Sequence, residues 1–154
     1  DGKFYWDGGY MGNPPLFPFS YKSPSQDVVI VQINPVVRQG VPHTATEIQN
    51  RMGEITFNAS LLHELRSINF VARLLEEGKL DPHQYRRMHV HIIHARKQIR
   101  PLEASTKMNS EWPFLRHLFD MGRDSAANWL AQNFDHLGER SSLNIRQMFQ
   151  GDEG

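Results

Sequence analysis

The chain has 154 residues, no cysteine, and 17 basic against 17 acidic side chains. The lack of cysteine excludes a disulfide framework, a thiolate nucleophile and Cys-ligated zinc; the zero formal charge gives no global pull toward nucleic acid or an anionic membrane; and no apolar run approaches the ~20 residues of a membrane span. An apolar content of 39% is ordinary for a globular domain with a sizeable core.

In chain order, Lys3-Phe4-Tyr5-Trp6 is strand-like, and residues 9–24 read as a long loop. Val28-Val29-Ile30-Val31-Gln32-Ile33 is a β-branched run bounded by Ser23-Pro24-Ser25 and Asn34-Pro35. Its lack of a polar face predicts a strand covered on both faces, with a strand neighbour on each side. Thr44-x-x-Glu47 is a capping box that opens a helix, Gly53 interrupts the pattern, and an amphipathic stretch continues to about Glu77. Leu61, Leu65, Ile68, Ala72 and Leu75 share one helical face, whereas Arg66, Arg73 and Glu76 lie off it, so this helix is expected to pack on a sheet. Gly78 is a stop signal. Asp81-Pro82 predicts a short helix through Arg87, leading into a strand over Met88 to His94.

The last third reads as helical. Ser110-Glu111-Trp112-Pro113 opens a helix ended by Gly122, Asp124-Ser125 opens a second one to about Phe134 with Gly138 beyond, and Ser141 or Ser142 caps a final short helix. Residues 99–109 form the longest expected loop, and the tail 151–154 is expected to fray. Together these elements predict an α/β fold over residues 1–150 with a helical carboxy-terminal region. Three strands make a thin parallel sheet, and the neighbours that a fully apolar strand needs are expected from residues before Asp1.

The motif that carries chemistry is Asp7-Gly8-Gly9. A carboxylate at the end of a strand stands where sites of open α/β sheets gather, and two glycines permit a sharp turn. The same tripeptide is also a strong turn signal irrespective of catalysis. Trp6-Asp7-Gly8-Gly9-Tyr10-Met11-Gly12-Asn13-Pro14-Pro15 resembles the aspartate motif of patatin-like phospholipases, in which Asp-Gly-Gly is followed by Asn and then Pro. Phe57-Asn58-Ala59-Ser60-Leu61-Leu62-His63-Glu64-Leu65-Arg66 is similar to the carboxy-terminal part of a bacterial branch of that family. Pro14 departs from the plant form, where a second Asn stands.

That resemblance implies a three-layer α/β/α hydrolase fold and a Ser–Asp dyad acting on a phospholipid or other lipid ester, with no cofactor. Asp7 takes the serine proton, Gly8 and Gly9 shape the turn, Asn13 stabilises it, and Trp6 and Tyr10 partly desolvate the carboxylate. None of the ten serines has glycines two residues to either side, so no nucleophile elbow is present. The nucleophile-bearing front half is therefore expected from elsewhere, in the same or a separate polypeptide, and this chain alone is expected to be inactive. The alternative is a non-catalytic lipid- or protein-binding module on the same scaffold. Compartment stays open between cytoplasm and a peripheral membrane location.

Three further patterns are open. His89-x-His91-x-x-His94 has histidines of metal-ligand type, but strand alternation sets His94 on the face opposite His89 and His91, so no metal site is expected. Arg86, Arg87, Arg96, Lys97 and Arg100 form a basic patch suited to a phosphate head group or to plain solvation. Phe4, Tyr5, Trp6, Tyr10, Phe17, Phe19 and Tyr21 suit an acyl pocket as well as an ordinary core.

Overall fold

The computed structural model describes residues 2–37, 40–94, 106 and 109–150. In chain order it contains helix α1 (Phe17–Lys22), strand β1 (Asp27–Gln32), helix α2 (Ala45–Glu76), strand β2 (His89–His94), helix α3 (Trp112–Asn133) and helix α4 (Ile145–Gln150), with single 3-10 turns at Gly8–Tyr10 and Phe134–His136. Among the described residues the sheet has two strands, β1 and β2, which are parallel and paired from Asp27 opposite His89 to Gln32 opposite His94. The class is α/β.

β1 forms where the β-branched run predicts it, since Val and Ile side chains pack well on a pleated surface. Its faces differ from expectation. Val28, Ile30 and Gln32 are buried, whereas Val29, Val31 and Ile33 are exposed. The cause is coverage: Val28 and Ile30 join Val90 and Ile92 of β2 and Leu61, Leu65 and Ile68 of α2 in one core cluster, completed by Leu16, Met88 and Met148. No described element covers the other face of β1. β2 is enclosed more fully, because α2 lies on its Val90 and Ile92 side while Trp129 of α3 meets the His91 ring edge-on at 5.6 Å on the other.

The Lys3–Trp6 run is not a strand; these residues join no ladder and their side chains are exposed. Among the described residues, β1 thus has a strand neighbour on one side only.

α2 begins as its capping box directs: the Thr44 hydroxyl accepts from Glu47 N at 3.2 Å, and the Glu47 carboxylate accepts from Thr44 N at 3.0 Å. These bonds hold the Glu47 carboxyl below its ordinary range, chiefly through the amides of His43 and Thr44. Gly53 does not interrupt the helix, which runs unbroken for 32 residues. One glycine costs a helix interior about 1 kcal/mol, and the long apolar stripe outweighs it. Asn58, Leu61, Leu65 and Ile68 are the buried positions, and Arg66, Arg73 and Glu76 face water. Gly78, at φ +67°, ends the helix in the left-handed conformation that glycine favours.

Asp81-Pro82 gives one turn, not a helix: Asp81 accepts from the amides of His83, Gln84 and Tyr85, and the chain then extends into β2. Nor does Gly122 end a helix. α3 is continuous for 22 residues, and Ser125, in place of capping a new helix, returns its hydroxyl to Met121 O at 2.8 Å. Asn144 caps α4 by accepting from Gln147 N at 3.1 Å, because Ser141 and Ser142 are committed to β2. α1 falls inside the expected loop 9–24; its Pro18 occupies the first turn, where a missing N–H costs nothing. The tail 151–154 and most of the loop 99–109 lie outside the described residues.

Candidate functional site

Asp7 stands at the head of the Gly8–Tyr10 turn. Its Oδ1 accepts from Gly9 N at 2.7 Å, and the backbone closes the turn through Tyr10 N to Asp7 O at 3.2 Å and Met11 N to Gly8 O at 2.9 Å. The side chain is exposed. Neither Gly8 nor Gly9 has a positive φ, so left-handed backbone is not what glycine supplies here. Close approach is the requirement at Gly9: a Cβ there would stand 3.1 Å from Asp7 Oδ1. Gly8 has open space around the same position.

Trp6 and Tyr10 flank the aspartate and meet edge-on at 5.7 Å, as aromatic quadrupoles prefer. Both rings are exposed, so they do not desolvate the carboxylate in this conformation. Asn13 ties the motif to α2 through its amide, which donates to the Ser60 hydroxyl at 3.1 Å, and a cis Asn13–Pro14 bond follows. This bond is the physical link between the motif and the Phe57–Arg66 stretch that accompanies it in the sequence.

Asn13 and Pro14 also form one wall of a cleft of about 360 Å³, whose other walls are Leu16, Phe19 and Ser23 and the strand residues Asp27 to Val31. Of the aromatic group, Phe19 lines this cleft; Phe4, Tyr5, Trp6, Tyr10, Phe17 and Phe19 are all exposed and none belongs to the core, while the Tyr21 side chain lies outside the description.

No family model, curated protein or solved structure matches the chain.

A second cluster, absent from the sequence reading, centres on Asp27. Its Oδ1 accepts from Gly138 N at 3.0 Å, meets His91 Nε2 at 3.1 Å and lies 3.4 Å from His89 Nδ1. Burial pushes the Asp27 carboxyl up, but the Gly138 amide, the His91 bond and the electrostatic pull of the two imidazoles outweigh it and hold the group below the ordinary carboxylate value. His91 is fully buried. Its Nδ1 accepts from Ser142 N at 3.3 Å and lies 3.0 Å from the Ser142 hydroxyl. An amide can only donate, so Nδ1 is the bare nitrogen and Nε2 carries the proton given to Asp27.

Asp27–His91–Ser142 thus has the residue types and hydrogen-bond order of a Ser–His–Asp triad, and the same bonds join β1, β2 and the 138–142 segment. The same segment bonds β2 through Ser141 Oγ to Val90 N at 3.0 Å and Leu143 N to Val90 O at 3.1 Å. As alternation requires, His94 points away from the pair, and it is exposed. No group of three or more His, Asp or Glu among the described residues is arranged to hold a metal ion.

The basic patch divides. Arg87 pairs with Glu76 at 3.0 Å and Arg86 donates to Ser23 O at 3.1 Å, so both serve the fold, whereas Arg96, Lys97 and Arg100 lie outside the described residues. No described helix is long and apolar enough to cross a membrane.

Proposed function

We propose that the chain supplies the aspartate of a lipid acyl hydrolase of the patatin-like kind, acting on a phospholipid or related ester, with the serine supplied by a polypeptide segment that this sequence does not contain. The observation that carries the reading is the Asp7 turn. One carboxylate oxygen is fixed by the Gly9 amide at 2.7 Å on an exposed side chain, and Asn13 and Pro14 of the same motif wall a cleft. A base held in one orientation and open to an incoming hydroxyl is what direct Ser–Asp proton transfer requires.

In that chemistry the serine Oγ attacks the ester carbonyl while its proton passes to Asp7. The proton then leaves with the departing alcohol as the acyl–serine ester forms. Water next attacks the acyl–serine, giving a proton to Asp7, and that proton returns to the serine as the fatty acid departs. A carboxylate is a weak base for a hydroxyl, so the exposed Asp7 must lose water when the nucleophile arrives.

A second reading, a non-catalytic lipid- or protein-binding module, draws on the same bond: an Asp accepting from the amide two residues on is an ordinary turn aspartate. Labelling with a fluorophosphonate separates the two. The hydrolase reading predicts no adduct on any serine of this chain by itself, and one adduct on the serine of the nucleophile-bearing segment when both are present. No adduct in the combined sample supports the module.

A further inference from the structure

We propose that the outward face of α3 is a lipid-contact surface, on which Trp112, Leu115, Phe119 and Leu130 enter the acyl region of a phospholipid interface while Arg116 and Arg123 meet its phosphates. The helix has two apolar faces, and the fold uses one. Met121 is buried and Trp129 packs edge-on against His91, so that face is turned to β2. The other face stands in water. Trp112 is 72% exposed, Phe119 54%, and Leu115 and Leu130 42% each.

These four do not lie scattered. At about 100° per residue they fall within about 60° of one another, a continuous stripe along the 22-residue helix. The charges beside the stripe are ordered. Arg123 and Arg116 lie about 20° and 40° round the helix from Trp112, whereas Asp120 and Asp124 come only at about 80° and 120°. Both guanidinium groups lie over the Phe119 ring, each 5.8 Å from its centre. Arg116 also reaches back to the Asp120 carboxylate at 3.5 Å.

This order decides the kind of partner. A protein groove can receive an apolar stripe with either sign of charge beside it. A lipid interface is layered by depth, with acyl chains innermost, then phosphates, then water, and apolar, arginine and carboxylate positions follow one another round α3 in that sequence. Tryptophan and arginine are suited to the boundary, since each has an apolar body and a polar tip that stays at the head groups. The chain's formal charge of zero is compatible with this, because the attraction is local to the stripe. The proposal deepens the hydrolase reading by assigning the surface at which its lipid is met, and it rests on that reading for the surface's use. Binding is tested apart from activity.

The test is co-sedimentation of the full chain with phosphatidylcholine vesicles, with and without phosphatidylglycerol. Trp112→Ala with Phe119→Ala removes two exposed rings, and its far-UV circular dichroism is expected to match wild type. Its vesicle partitioning is expected to fall at least ~10-fold, as the loss of two buried aromatic side chains requires. Arg116→Gln with Arg123→Gln is expected to reduce the preference for phosphatidylglycerol at least ~5-fold at low salt. Phe4→Ala with Tyr5→Ala removes exposed rings elsewhere and is expected to bind as wild type does.

Unchanged partitioning of the Trp112/Phe119 variant overturns the proposal, and an equal loss in the Phe4/Tyr5 variant moves the contact to the amino-terminal segment. An undiminished preference in the arginine variant overturns the phosphate contacts. A wild-type chain that ignores vesicles but forms a dimer dispersed by Trp112→Ala with Phe119→Ala assigns the stripe to a second copy. Stripe-dependent vesicle binding in a protein whose esterase turnover is indifferent to Asp7→Asn upholds the surface and removes the hydrolase reading. Asp7-dependent turnover without vesicle binding does the reverse.

Discussion

At the residue scale, Asp7 and Asp27 are two carboxylates with opposite environments, and the difference sorts their roles. Asp7 is exposed and held by one amide, and Asp27 is packed among a backbone amide and two histidines. Asp27→Asn leaves the His91 and Gly138 contacts with a neutral partner. It is expected to destabilise the fold by about 1.5–3 kcal/mol, the range for a hydrogen bond to a charged group, read as a shift in the urea midpoint. The pH sign follows from the lowered carboxyl. Its contribution is present above the ordinary carboxylate value and is lost as pH falls from that value through the lower folded one. Urea midpoints measured from pH 6 down to pH 3 should therefore fall more steeply for wild type than for Asp27→Asn; parallel profiles would remove Asp27 from the account. Gly9→Ala is expected to displace the Asp7 carboxylate, given the 3.1 Å approach, while thermal stability changes little at this exposed turn.

At the element scale, α2 is the frame on which both the core and the Asn13 bond depend. Gly53 lies in its interior with open space around a Cβ and no positive φ, so Gly53→Ala is expected to stabilise the chain by about 1 kcal/mol, seen as a raised melting temperature. No gain would mean that α2 is not continuous there. Leu65 is fully buried, and Leu65→Ala is expected to cost about 2–5 kcal/mol. α2's start, stripe and stop were legible because cap, period and left-handed glycine are local signals: Thr44, Glu47 and Gly78 act as their chemistry predicts. The misreadings share one cause. Gly53, Gly122 and Asp124-Ser125 are local breakers that propensity alone would honour, and the long helices that run through them outweigh each, at about 1 kcal/mol or less per residue.

At the scale of the whole molecule, long-range pairing was the illegible part. Nothing near Asp27 in sequence announces His91, 64 residues away, or Gly138, 111 away; the first meeting follows from the parallel register of β1 and β2, and the second from the turn after α3 that brings the Gly138 amide to the Asp27 carboxylate. The β1 run was read correctly as a strand, but its second face and second edge depend on what is placed beside them, a property no window of residues contains. The Asp7 motif was legible as a turn with a carboxylate, and its bond to Gly9 is as local as the signal. The central claim is that this carboxylate is a catalytic base, and turnover of a p-nitrophenyl ester by the protein joined to its nucleophile-bearing part tests it most directly. Asp7→Asn keeps the shape of the turn and removes the base, so turnover is predicted to fall by at least ~10²-fold with the far-UV circular dichroism unchanged. Equal turnover in wild type and Asp7→Asn would contradict the claim and return Asp7 to the role of a turn residue.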